Sequence, residues 1–178
     1  MEYNSYLNLS AIRTPEDIYT KHICDTLELN TCDVFKPWKT CIDLGTGGGF
    51  PLIPLALTNS WVQFVGIDAR RKKINAVEAM LERLHIDNAT VLRTRAEDHK
   101  KRYDIVVARS VAYAHDLFDL CRRVCRPGGT ICRYKVFTYE EDTDVRELCH
   151  VFKCTLRTHT YTLPETDQQR ILYLIRVP

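Results

Sequence analysis

No stretch of this 178-residue chain stays apolar for long enough to cross a bilayer. The longest apolar run, Phe50 to Leu57, carries two prolines, and a membrane-spanning helix needs about 20 residues. The start, MEYNSYLNLS, lacks both the basic residues and the apolar core of a secretory signal, so a cytosolic protein is expected. Charge of one sign is also scarce. Lys and Arg total 25 against 23 Asp and Glu, and the resulting +2 excludes a protein that coats nucleic acid through bulk charge. Repeats, low-complexity tracts and linkers are missing, and the length suits one compact domain over 1–178 that buries roughly 70% of its unfolded surface. Eight cysteines are present but no C-x-x-C pair is. Cys121 and Cys125 stand four apart, the spacing of one helix face, so free thiols and no metal site are expected.

Thr14-Pro15-Glu16-Asp17 opens a helix, with Thr14 as N-cap, Pro15 in the first turn and two acids beside it. Ile18, His22, Ile23 and Leu27 recur at helical spacing, so this N-terminal segment, within 1–30, is predicted helical to about 29. From position 40 the pattern alternates. Strands are predicted at 40–44, 62–67, 90–94, 103–108, 130–136, 152–161 and 170–177, and helices near 51–58, 70–85, 114–125 and 139–150. Strands such as Tyr103-Asp104-Ile105-Val106-Val107-Ala108 are apolar almost throughout, as a parallel sheet covered on both faces requires. An open, doubly wound α/β sheet over 40–178 follows. Pro127-Gly128-Gly129 breaks the chain ahead of the fifth strand, and the short link 163–167 makes the last two strands an antiparallel pair.

The most informative run is Cys41-Ile42-Asp43-Leu44-Gly45-Thr46-Gly47-Gly48-Gly49-Phe50-Pro51, a buried strand leading through a glycine-rich turn into a helix. Side chains are absent where a nucleotide-like ligand must touch backbone. A dinucleotide fingerprint needs its third glycine at position 50, where Phe50 stands, so the spacing favours S-adenosylmethionine over NAD. In such a sheet the ligand sits at the carboxyl ends of the strands. The residues found there are Gly45 to Phe50 after strand one, Asp68 after strand two, Ala96-Glu97-Asp98 after strand three, Arg109 after strand four and Lys135 late in strand five. Asp68 fits a ribose diol, with a helix cap as its other reading. Glu97 and Asp98 either hold an adenine edge or are loop acids. Arg109, directly after a buried strand, calls for a specific partner, and Lys135 either reaches the site or reaches solvent. Three basic clusters, Arg70-Arg71-Lys72-Lys73, Lys100-Lys101-Arg102 and Arg122-Arg123 with Arg126, make a phosphate track if they share a rim and solvated faces if they do not.

Taken in order, Asn8-Leu9-Ser10-Ala11-Ile12-Arg13, Lys21-His22-Ile23-Cys24-Asp25-Thr26, Asp43 to Pro51, Arg95-Ala96-Glu97, Ala108-Arg109-Ser110-Val111-Ala112, Lys135 and Gln169-Arg170 form a set spread over nearly the whole chain. The set resembles the bacterial small-subunit rRNA guanine-N7 methyltransferases, also called the glucose-inhibited division protein B family. The resemblance implies a class I S-adenosylmethionine-dependent methyltransferase with a Rossmann-like, mostly parallel seven-stranded sheet whose last strand is antiparallel. It implies 7-methylguanosine formation in 16S rRNA, in the loop of helix eighteen near the decoding site. It places Gly45, Phe50, Ala96, Glu97 and Arg109 in the cofactor site; Thr46, Gly47, Gly49 and Asp68 join them from the loop reading. There are departures. Leu52 and Val136 stand where the family usually has glycine, and only seven residues precede the Asn-Leu-x-Ala-Ile-Arg signature where the family carries helices.

Guanine N7 offers a lone pair and no proton, so methylating it needs no general base and positioning should dominate. The chain accordingly has no Asn-Pro-Pro-Tyr amine motif and no strand-end cysteine poised to attack a pyrimidine. An arginine fork across O6 and N7 would block the nucleophile, so Arg109 is expected on O6, a phosphate or the cofactor carboxylate. Lys135 and Arg170 are assigned to positioning RNA. His22 and Asp25 form either an edge of the base pocket or a local pair. A monomer acting on 16S rRNA or a small-subunit precursor is expected. The alternatives are a methyltransferase for a small molecule or a protein, and an RNA-binding relic with weak catalysis.

Overall fold

The computed structural model describes residues 12, 14–109 and 114–178, with side chains at 114–116 left aside. Most of the Asn8 to Arg13 motif, and Ser110 to Ala112, lie outside the described residues. Seven strands, β1 (Thr40–Leu44), β2 (Gln63–Asp68), β3 (Ala89–Arg93), β4 (Tyr103–Arg109), β5 (Cys125–Val136), β6 (Thr155–Thr162) and β7 (Gln169–Arg176), form one sheet. Their order is β3-β2-β1-β4-β5-β7-β6. β1 pairs in parallel with β2 and β4, while β7 runs antiparallel to both β5 and β6. The predicted doubly wound sheet is therefore present. β1 and β4 flank the point where the winding reverses, which opens a crevice past Leu44.

Alternation along the strands feeds two cores. Cys41 of β1 faces one core with Leu52, Leu55, Phe64, Val77 and Leu81, and Ile42 and Leu44 face the other with Leu117, Phe118, Val145 and Leu148. Helices α2 (Leu52–Thr58) and α3 (Arg71–Arg83) thus cover the first face, and α4 (Ala114–Val124) and α5 (Tyr139–Val151) the second. No helix among the described residues is long and apolar enough to cross a membrane.

The N-terminal helical segment, α1 (15–32), begins as its cap predicts, with the Asp17 amide donating to Thr14 Oγ1 at 3.1 Å. It is not the single regular helix that its periodicity suggests. Tyr19–Cys24 is a π-helical turn and Glu28–Cys32 a 3₁₀ turn. The wide turn includes Lys21, whose carbonyl accepts from Arg109 Nη2, a tertiary bond that sequence spacing does not carry. Two further expectations need correcting. Cys125 lies beyond α4, as the first residue of β5 opposite Tyr103, because pairing with β4 begins before the Pro-Gly-Gly turn. That turn is a bulge within β5: Gly128 takes φ +72°, and the Gly128 amide and Gly129 carbonyl both bond to Val177. Burial pushes the Cys121 and Cys125 thiols up to about 12.

Candidate active site

The loop after β1 is shaped by glycines for different reasons. Gly45, Gly47 and Gly49 all have positive φ. A Cβ on Gly47 would meet only Lys73 Nζ at 3.6 Å and the Gly45 carbonyl at 3.7 Å, so its backbone faces open space. A Cβ on Gly49 would lie 2.5 Å from Ile53 Cδ1, so Gly49 lets the loop pack onto α2. Asp68, at the end of β2, accepts from the Gly47 amide at 3.2 Å and from the Arg70 amide at 2.8 Å. The bond from Arg70 steadies the start of α3, and the bond from Gly47 holds the carboxylate beside the loop. Thr46 and Asp43 lie buried beneath. Among the described residues neither Asp43 carboxylate oxygen nor the Thr46 hydroxyl completes a hydrogen bond. Burial pushes Asp43 up to about 7, against the opposing pull of the nearby Thr46 hydroxyl, Leu52 amide and Arg109. Leu52 is buried against β2, its side chain within 2.6 Å of where a Gly66 Cβ would stand.

Phe50 closes the loop and stacks on His22 of α1, with centroids 4.8 Å apart and planes at 22°. Arg109 Nη2 donates to His22 Nδ1 at 2.7 Å. Burial and the Arg109 charge push His22 down to about 4, so its ring is neutral at physiological pH. Arg109 Nε lies 3.2 Å from Asp25 Oδ2, and Arg170 grips the same carboxylate with Nε at 3.0 Å and Nη2 at 2.9 Å. Tyr161 adds a 2.6 Å hydroxyl bond. Asp25 is fully buried, and its two arginines are only 10% and 12% exposed. One carboxylate thus joins α1 to β4, β6 and β7. Two guanidinium groups against one carboxylate leave the cluster an excess positive charge, and Arg109 Nη1 is buried without a partner among the described residues.

The remaining expected residues are more dispersed. Lys135 and Arg170 line an open pocket of about 290 Å³ with Tyr134, Val136, Thr138 and Glu141. Lys135 is bonded there to Glu141 at 3.3 Å. Ala96 and Glu97 lie in the turn after β3; Ala96 packs on the second core and the Glu97 carbonyl accepts from Arg123. Neither meets the clasp. Beside them Ala69, Arg93, Thr94, Arg95 and Asp98 line an open cavity of about 400 Å³. The His22 and Asp25 pairing is neither simply local nor separate, since Arg109 bridges the two.

Sequence reading placed Lys73 only in a basic cluster and missed its position over the loop, and it missed Tyr161 in the clasp and Arg133. Arg133 is fully buried in β5 and pairs with Glu141 at 2.9 Å. A lone charge between Cys132 and Tyr134 in a strand covered on both faces was the available signal. The three basic clusters do not all share one rim. Arg70 to Lys73 open α3 at the loop end of the sheet, whereas Lys100 to Arg102 precede β4, and Arg122 and Arg126 flank the start of β5 at the opposite end.

The donor set fits the cofactor that the loop spacing favours: open backbone at Gly47, an acceptor at Asp68, the Phe50 ring and the adjacent cavity. Fold and site define a class I S-adenosylmethionine-dependent methyltransferase. Solved structures agree on the fold. A SAM-dependent methyltransferase from Aquifex aeolicus superposes with a TM-score of 0.71 at 15% identity, covering 96% of this chain and 97% of that one. Magnesium protoporphyrin IX methyltransferase from Synechocystis PCC 6803, with SAM bound, gives 0.71 at 17% identity, covering 98% and 94%. The sequence goes further: residues 1–174 match the family model described as rRNA small subunit methyltransferase G, or GidB, and the chain belongs to that family. Proteins named ribosomal RNA small subunit methyltransferase G are 33% identical over 186 residues in Lachnoclostridium phytofermentans and 36% identical over 181 residues in Deinococcus radiodurans. These alignments cover 99% and 97% of this chain but 76% and 71% of the relatives. One from Deinococcus deserti is 39% identical over 140 residues, covering 75% of this chain and 57% of its own length.

Proposed function

We propose that this chain transfers a methyl group from S-adenosylmethionine to N7 of a guanine in 16S rRNA, acting in the cytoplasm as a monomer on free rRNA or a small-subunit precursor. What carries the reading is the joining, at the end of the glycine loop, of a neutral aromatic wall and a positively charged clasp within a chain of this family. When bound, S-adenosylmethionine supplies an electrophilic methyl group on a sulfonium.

The chain's own residues then have simple tasks. Gly45 to Gly49 offer backbone to the cofactor, Asp68 accepts from its ribose, and Ala96 and Glu97 border the adenine end. N7 bears no proton, so no residue needs to remove one, and a His22 held neutral suits a wall rather than a base. Phe50 and His22 stack as a unit that can face a purine. Arg109 is held off N7 by Asp25, Lys21 and His22, leaving the lone pair open. Lys135 and Arg170, sharing one pocket, steady the nucleotide and its phosphate. The base must leave its stack to reach this cleft, so structured rRNA suits the site better than duplex.

The test is direct. Purified protein is incubated with methyl-labelled S-adenosylmethionine and unmodified 16S rRNA or small subunits, and the digested nucleosides are identified by mass spectrometry. Label in 7-methylguanosine is the expected result. Cofactor binding without label in any RNA nucleoside would overturn the reading in favour of a different acceptor.

A further inference from the structure

Arg102, Arg122 and Lys153, at the end of the sheet far from the glycine loop, have no part in the site above. Arg102 ahead of β4, Arg122 near the end of α4, Pro127 in the β5 bulge, and Phe152 and Lys153 after α5 line an open groove of about 400 Å³. Among the described residues no Asp or Glu side chain lines it. The neighbouring acid, Asp104, is already engaged by Arg126 at 3.0 Å, Lys39 at 3.3 Å and the Thr40 amide at 2.9 Å. Arg122 is fixed in place, its guanidinium 4.1 Å from the centroid of the Phe152 ring, a contact that leaves nitrogen donors at its edge. Val151 beside it is 62% exposed. The groove is thus a cationic floor beside an aromatic plane, with no side-chain counter-charge among its described lining residues, the chemistry that holds a nucleic-acid backbone.

The two ends of β4 separate this groove from the cofactor loop. Seven residues at about 3.3 Å each make roughly 20 Å. A small-molecule substrate cannot touch both places, but a long polyanion can. We propose that this groove binds a phosphodiester stretch of the rRNA remote from the methylated base, an inference that rests on the rRNA reading above. The protein then holds its substrate at both ends of the sheet. The catalytic end selects the base, and the far groove supplies affinity and its salt dependence.

The double variant Arg102→Glu/Lys153→Glu tests this, since both side chains are exposed and lie outside the active site. Binding of unmodified 16S rRNA, and of a short stem-loop carrying the target guanine, is measured by anisotropy over a range of salt concentrations. The variant should bind the long RNA about tenfold more weakly, with a log–log salt slope smaller by about 2, since each phosphate contact contributes roughly 0.7–0.9. Its affinity for the stem-loop and for S-adenosylmethionine should match wild type. Unchanged affinity and slope for the long RNA, or equal loss on both RNAs, would overturn the proposal. Retained cofactor binding and melting temperature show that the fold survives charge reversal. If they are lost, Arg102→Gln/Lys153→Gln decides the same comparison with an expected loss of about threefold. A wild-type protein that binds rRNA but methylates none of it would sink the proposed function, while the two binding slopes would still decide the groove.

Discussion

The two sides of the cleft are made by different means. The glycine-loop side is built from backbone: four glycines among the five positions 45–49, one carboxylate 21 residues from the amide it holds, and a helix start. The opposite side is built from side chains that meet across the whole chain, with Asp25 bonded to partners 136 and 145 residues away. A backbone-built site tolerates loss of one side chain and is sensitive to adding one. A side-chain clasp around a buried charge is sensitive to loss.

The sharpest test of that contrast is Asp25→Ala against Asp68→Ala. Removing Asp25 strands two buried guanidinium groups and should cost about 3–5 kcal/mol of stability in denaturant unfolding. Asp68→Ala leaves two amides beside solvent and should change stability far less while weakening cofactor binding by calorimetry. Equal destabilisation by the two variants would erase the distinction. A smaller effect separates the glycines. Both positions hold positive φ, so either alanine carries about 1–2 kcal/mol of backbone strain; Gly49→Ala also forces a Cβ onto Ile53 and should cost about 1–3 kcal/mol more, whereas Gly47→Ala has room for its Cβ and should add mainly a loss of cofactor affinity. If Gly47→Ala proves the more destabilising, the loop is not divided in this way.

The smallest effect is in acid. His22 titrates near 6.5 unfolded and about 4 folded, so the unfolded chain binds the extra proton between those values. Its contribution to stability is complete above about pH 6.5 and is lost as pH falls towards 4, with a slope of at most about 1.4 kcal/mol per pH unit. His22→Gln should remove that slope from the difference between the two stability curves. Parallel curves for the two proteins would show that the imidazole is not held neutral.

The same division explains what was legible in sequence. The doubly wound sheet, its antiparallel last pair, the glycine loop and Asp68 follow from spacing within a few residues or one crossover, and the alternating pattern of β1 to β5 leaves little choice of fold. The clasp was legible only in parts. Asp25 stood beside His22 in one reading, and Arg109 and Arg170 stood in others, but no periodicity links positions so far apart. The π turn at Tyr19–Cys24 has the same origin, since a tertiary acceptor role for Lys21 leaves no local mark. The Pro-Gly-Gly misreading is different. The dipeptide chemistry was read correctly as a turn, but strand pairing at Cys125 had already begun, and a bulge satisfies both.

The Asp25 clasp also fixes when during synthesis a finished site can exist. Asp25 emerges early, and Arg170 is added 145 residues later, which at ordinary translation speeds is roughly 10–30 seconds. Until then α1 lacks Arg170 to close upon, and Tyr161 precedes that arginine by only nine residues. The clasp therefore closes only once β7, the last strand of the sheet, has been added.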